Sequence, residues 1–138
     1  MKAWYIPPDW VSPDHPEPTN IMEAARLAAN IANSSPTSYL NYSVIPRIIH
    51  QTWKSTHLDQ IPSKVLPGIE SWLGYATHPN YPSMAYFMWN DEGIMLLMDE
   101  TDPSIREPFD SLPRFVEKTD VFRVVVCNTI GGIVSTTI

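Results

Sequence analysis

Apolar and polar positions along this chain follow two different periods, and the switches between them outline the elements. Pro46 is followed by Arg47-Ile48-Ile49-His50-Gln51-Thr52-Trp53, a compact run rich in β-branched and aromatic residues that predicts a buried strand over 47–53. Met84-Ala85-Tyr86-Phe87-Met88-Trp89 predicts a second strand, and Ile133 to Ile138, after the Gly131-Gly132 turn, begins a third. Between the strands the spacing turns helical. Val65, Leu66, Ile69, Trp72 and Leu73 share one side of residues 63–75, with Pro67 setting the proper start of that helix. Asn90 or Asp91 caps a short helix through Met98, and residues 103–110 suit a further helical turn. The strongest helical pattern covers residues 114–128; its second half is apolar nearly all round, which predicts a buried end. Strands alternating with helices indicate an α/β fold with a parallel sheet.

Upstream of Ile45 the pattern changes character. Prolines at 7, 8, 13, 16 and 18 predict an extended stretch over residues 1–18, a stem or linker with few core contacts. Asn20-Ile21-Met22-Glu23 has the spacing of a capping box and opens a short, alanine-rich helix over about 20–32. Residues 34–43 are polar and read as loop. The expected organisation is therefore a proline-rich segment with one helix over 1–44, then an α/β unit over 45–138.

Composition narrows the functional classes. With 138 residues, 43% of them hydrophobic and 17% charged, the chain suits one ordinary globular domain. A net charge of −6 argues against nucleic acid held by bulk charge; an anionic ligand would need a local basic group or a metal. Cys127 has no partner for an internal disulfide and is expected to be a small core residue. No apolar run approaches a membrane span, so no membrane contact by this chain itself is expected. The start, Met1-Lys2-Ala3-Trp4-Tyr5, is not a signal peptide, so the expectation is a chain without a targeting segment. The triplets Asn33-Ser34-Ser35 and Asn41-Tyr42-Ser43 lean toward a secretory route. His15, His57 and His78 lack ligand spacing for zinc, and no glycine-rich phosphate loop or serine-nucleophile elbow is present.

Two constellations remain that suit ligand chemistry. At the end of the first strand, Trp53 suits stacking on a nucleobase, and His50 and Gln51 suit hydrogen bonds to a base or ribose; the plainer reading makes Trp53 a core aromatic and His50 a satisfied core histidine. On the helix of 114–128, Asp120 and Arg123 lie three apart and share a face. They suit sugar hydroxyls and a diphosphate, or else a simple ion pair. The Asn90-Asp91-Glu92 segment reads as a helix cap first and a polar site contact second.

These pieces, in this order, resemble a known family. Ile45-Pro46-Arg47-Ile48-Ile49-His50-Gln51-Thr52-Trp53-Lys54 resembles the opening of the family 32 glycosyltransferases. Tyr86-Phe87-Met88-Trp89-Asn90-Asp91-Glu92 is similar to their Y-x-x-W-x-D-E segment, and Lys118-Thr119-Asp120-Val121-Phe122-Arg123 with Gly131-Gly132-Ile133 is similar to the stretch leading to their aspartate pair. The nearest likeness is to fungal Golgi initiation-specific α-1,6-mannosyltransferases. The resemblance implies a GT-A fold, a Rossmann-like nucleotide-sugar-binding sheet. It implies GDP-mannose as donor, transfer with retention to a glycan or glycolipid acceptor, Mn²⁺ or Mg²⁺ as cofactor, and a type II membrane protein of the Golgi. Mapped onto this sequence, it gives His50, Gln51, Thr52 and Trp53 to the donor nucleotide. It gives Asp120 and Arg123, also its catalytic candidates, to the donor sugar and phosphates.

The sequence departs from that pattern after Ile133. It continues Val134-Ser135-Thr136-Thr137-Ile138, with Thr136 and Ile138 standing where the family has its two aspartates. Neither supplies a hard anionic oxygen for a divalent ion, so no metal ligand is assigned. The expectation is an N-terminal, donor-binding half of such an enzyme, truncated before the D-x-D motif and inactive as it stands. The alternative is a non-catalytic, metal-independent module for sugar-nucleotide binding or interaction.

Overall fold

A computed structural model describes residues 3–35, 39–53 and 63–135. The strands are β1 (Trp4–Tyr5), β2 (Ile48–Thr52), β3 (Ala85–Trp89) and β4 (Ile133–Val134). The helices are α1 (Ile21–Ser34), α2 (Leu66–Thr77), α3 (Asp91–Thr101), α4 (Arg106–Asp110) and α5 (Phe115–Thr129). The sheet order is β1-β3-β2-β4. β2 runs parallel to both β3 and β4, and β1 closes the far edge antiparallel to β3. All five residues of β2 and all five of β3 are buried, which is why both read as unbroken apolar runs: each face of a parallel sheet is covered.

Alternation along the strands sorts the two faces. Ile48, Ala85, Phe87 and Trp89 face α1, α3 and α5, whereas Ile49, Tyr86 and Met88 face Trp53, Val65, Met84 and α2. α1 closes on the sheet through Ala24, Ala25, Ala28 and Ala32, all fully buried; small side chains let its backbone approach closely. Its start follows the predicted cap. Asn20 Oδ1 accepts from the Glu23 N–H at 2.9 Å, and the Glu23 carboxylate accepts from the Thr19 N–H and hydroxyl. α3 is capped by Asn90, whose Oδ1 accepts from the Gly93 N–H at 2.9 Å. The 103–110 region forms a 3-10 turn, Pro103–Ile105, leading into α4.

Three expectations need correction. Residues 1–18 were to make few core contacts, yet Trp4 and Tyr5 pair with Phe87 and Tyr86, and Ala3, Ile6 and Trp10 pack on the core. The edge of β3 was open, and its unpaired backbone groups recruit this segment: the Met88 N–H donates to Ala3 O at 2.8 Å. The second half of α5 is not buried all round. Only Thr119, Phe122 and Val126 are buried, at helical spacing, while Val124 is 72% exposed. Cys127, expected in the core, is exposed on the same helix. α2 shows the shared side that its spacing predicts: Ile69, Trp72 and Leu73 pack half-buried against the second cluster with Val65, while Leu66 is exposed.

Candidate functional site at the carboxyl edge of the sheet

β2 is the strand at which the sheet changes direction. The chain leaves it through α2 to reach β3 on one side, then returns through α3, α4 and α5 to β4 on the other. In open α/β sheets the crevice at the carboxyl ends of such a pair is where ligands bind, because the two connections diverge there and leave a gap. Here it lies past Thr52 of β2 and Val134 of β4. Hydrogen bonds extend the ladder into it: the Trp53 N–H donates to Trp89 O at 3.0 Å, and the Ser135 N–H donates to His50 O at 2.9 Å. Thr136 and Ile138 lie outside the described residues.

His50 is wholly buried and occupied at both ring nitrogens. Nε2 lies 2.8 Å from Gly131 O, and Trp89 Nε1–H donates to Nδ1 at 3.0 Å. The indole can only donate, so Nδ1 is the acceptor and the Nε2–H donates to Gly131. Burial pushes the imidazole down to about 4, outweighing the Gly131 carbonyl, which acts the other way. His50 is thus a neutral tie between β2, β3 and the turn before β4. That turn needs glycine. Gly131 and Gly132 have φ of 87° and 111°, and a Cβ on Gly132 would meet Ile48 O at 2.3 Å.

Gln51 points to the opposite face. Its Oε1 accepts from the Tyr86 hydroxyl, and its buried Nε2 has no acceptor among the described residues. Thr52 is buried at 7% exposure. Trp53, at 8%, lies in the apolar cluster with Val65, Met84 and Met88. Asp120 and Arg123 form the ion pair that their spacing permits, at 3.2 Å, with side chains 63% and 37% exposed. The charge in mid-helix therefore has a simple setting: that face of α5 meets solvent. The structure brings His50, Gln51, Thr52 and Trp53 together by sequence adjacency, and Asp120 with Arg123; no hydrogen bond or ion pair among those found for the described residues joins Asp120 or Arg123 to the β2 group.

One approach at this edge was not legible in the sequence. Asp91, first in α3, feels the ammonium of Lys118 near the start of α5; burial raises its carboxyl above the usual range and Lys118 opposes this. Lys118 Nζ also lies 5.7 Å from the centre of the Phe109 ring. Local sequence gives no sign of this, because Lys118 comes within electrostatic range of Asp91 only once α3 and α5 pack side by side. Among the described residues no group of three His, Cys, Asp or Glu side chains is placed to hold a metal ion.

No protein-family model matches the chain, and no solved structure matches it significantly. Curated proteins do. The chain is 35% identical over 96 residues, 69% of its length, to inositol phosphoceramide mannosyltransferase 3 of Schizosaccharomyces pombe. It is 35% identical over 94 residues to inositol phosphoceramide mannosyltransferase 2 of the same yeast. It is 30% identical over 90 residues to mannosyl phosphorylinositol ceramide synthase SUR1 of Saccharomyces cerevisiae. It spans about a quarter of the length of these relatives, from 22% to 25%. No helix among the described residues is long and apolar enough to cross a membrane. The relatives of this chain are thus inositol phosphoceramide mannosyltransferases, a likeness at the level of the family that singles out no member.

Proposed function

We propose that this chain is the donor-binding part of a retaining mannosyltransferase of GT-A type, over residues 45–138, and that the nucleotide of GDP-mannose binds at the carboxyl ends of β2 and β4. The observation that carries this reading is the parallel β3-β2-β4 arrangement. It puts the direction change of the sheet beside Trp53, in a chain whose relatives are mannosyltransferases. In the reading, Trp53 gives the site its apolar wall, and the unspent Gln51 Nε2–H donates to an oxygen of the base or ribose. His50 acts as a positioning residue, fixing β2 against the Gly131-Gly132 turn. Asp120 and Arg123 exchange their mutual contact for donor hydroxyls and phosphate oxygens, Arg123 as a planar, permanently charged donor. In the whole protein the acceptor would be a glycolipid and the compartment the Golgi.

The family's divalent cation does not fit the residues present. The side chains of Thr136 and Ile138 bring no carboxylate. A single preorganised contact to developing charge contributes about 3 kcal/mol, and a cation on a diphosphate more than one such contact. This chain therefore binds donor without transferring mannose. Equilibrium binding of GDP-mannose to the wild type and to Trp53→Ala tests the reading. Micromolar-to-millimolar binding that Trp53→Ala abolishes while the fold persists supports it. No binding to the wild type, or binding unaltered in the variant, overturns it.

A further inference from the structure

The amino edge of the sheet, opposite the proposed donor site, holds a largely buried cation that meets no counter-charge among the described residues. Arg47 immediately precedes β2 and is 6% exposed. Its guanidinium donates once to a neutral partner, Asn41 Oδ1, at 2.9 Å, and its buried Nε has no acceptor among the described residues. No carboxylate pairs with it among them. An arginine cannot discharge itself by losing a proton, so burying it against one amide is costly, and native structures seldom keep such a charge unpaired. Arg47 also lines a cavity of about 870 Å³ with Tyr39, Asn41, Tyr42, Ser43, Val44 and Pro82.

Two of the residues lining that cavity expose apolar surface to solvent. Tyr42 is fully exposed and holds a left-handed backbone with φ of 59°, unusual for a residue with a Cβ, and Val44 is 83% exposed. A largely buried, forked donor and exposed aromatic and aliphatic groups lining one cavity suit a ligand with an anionic head and an apolar body. We propose that the Arg47 cavity is a second binding site, one that takes the oxyanion of a phosphate ester. The guanidinium is planar and offers paired N–H groups at the spacing of two phosphate oxygens. Tyr42 and Val44 would flank the organic part. The site stands on the opposite edge from Trp53 and does not depend on the donor reading.

The phosphate can be free or carried by a lipid headgroup, and a two-arm experiment separates these sources. The full chain is titrated with inorganic phosphate, followed by thermal shift and calorimetry, and is floated with phosphatidylcholine vesicles with and without 20 mol% (about one lipid in five) phosphatidylinositol. The variants are Arg47→Gln, Asn41→Ala and the rim double variant Tyr42→Ser with Val44→Ser. Inorganic phosphate that raises Tm of the wild type, at least about tenfold more weakly in Arg47→Gln, assigns a free-phosphate site. Flotation only with phosphatidylinositol, lost in Arg47→Gln and in the rim variant, assigns a headgroup site. Should Arg47→Gln fail to fold, Asn41→Ala decides: its exposed residue merely orients Arg47, and its affinity should fall several-fold. No response to either probe, or equal responses in wild type, Asn41→Ala and the rim variant, overturns the proposal.

Discussion

The two edges of one sheet carry polar groups of opposite kinds. At the carboxyl edge His50 has both nitrogens engaged, by Gly131 and Trp89, and burial keeps it neutral. At the amino edge Arg47 is largely buried too, at 6% exposure, permanently charged, and engaged by one neutral amide among the described residues. The first arrangement is what a fold uses to hold itself: every partner comes from the chain, and nothing is left for a ligand. The second leaves a donor unspent beside a cavity. Burial alone does not separate a structural polar group from a binding one; its remaining hydrogen-bonding capacity does.

The largest expected effect falls on the turn that His50 grips. Gly132→Ala would place a Cβ against Ile48 O in a backbone that only glycine adopts easily. It should cost about 3–5 kcal/mol, read as loss of the cooperative transition in urea. A stable Gly132→Ala protein would mean that β4 does not dock on β2 as described. Next comes His50→Ala, which strands the Trp89 indole N–H and Gly131 O in the interior. It should cost about 2–4 kcal/mol in denaturant titration, whereas Arg47→Met should cost far less or stabilise, since it removes an unpaired buried charge. Equal losses at both sites would erase the contrast between the edges.

A pH effect sharpens the same contrast. The folded-state value of His50 is about 4 against 6.5 for the free side chain, so the unfolded chain takes up the proton first as pH falls. Stability contributed by neutral His50 is present above pH 6.5 and is lost progressively toward pH 4. Urea midpoints across that interval should fall in the wild type and fall less steeply in a destabilised His50→Phe variant. The smallest effect is expected at Val124, 72% exposed on α5: Val124→Ser should change stability by no more than about 0.5 kcal/mol.

Much of this was legible in the sequence, for reasons that differ between elements. β2 and β3 stood out because a strand covered on both faces is apolar at consecutive positions. The cap at Asn20 showed because a short polar side chain three residues before Glu23 has a local mechanism. α5 misled because Val124, Val125, Val126 and Cys127 are apolar on every side, while only the face carrying Thr119, Phe122 and Val126 meets the core. β1 was hidden because two residues among prolines show no period, and its pairing depends on an edge made by residues 85–89. The candidate site could be read in the sequence only as residue types. Its long-range relations, the His50–Trp89 hydrogen bond and the influence of Lys118 on Asp91, appear only with the packing.

The most direct test of the donor reading is calorimetric titration of the chain with GDP, once with Mn²⁺ and once with a chelator. The account predicts weak binding of equal strength in both, because the side chains of Thr136 and Ile138 offer a divalent ion no carboxylate, and loss of that binding in Trp53→Ala. A strong dependence on Mn²⁺ would contradict it, and would mean that carboxylates elsewhere, Asp91 or Asp120 among them, build a metal site.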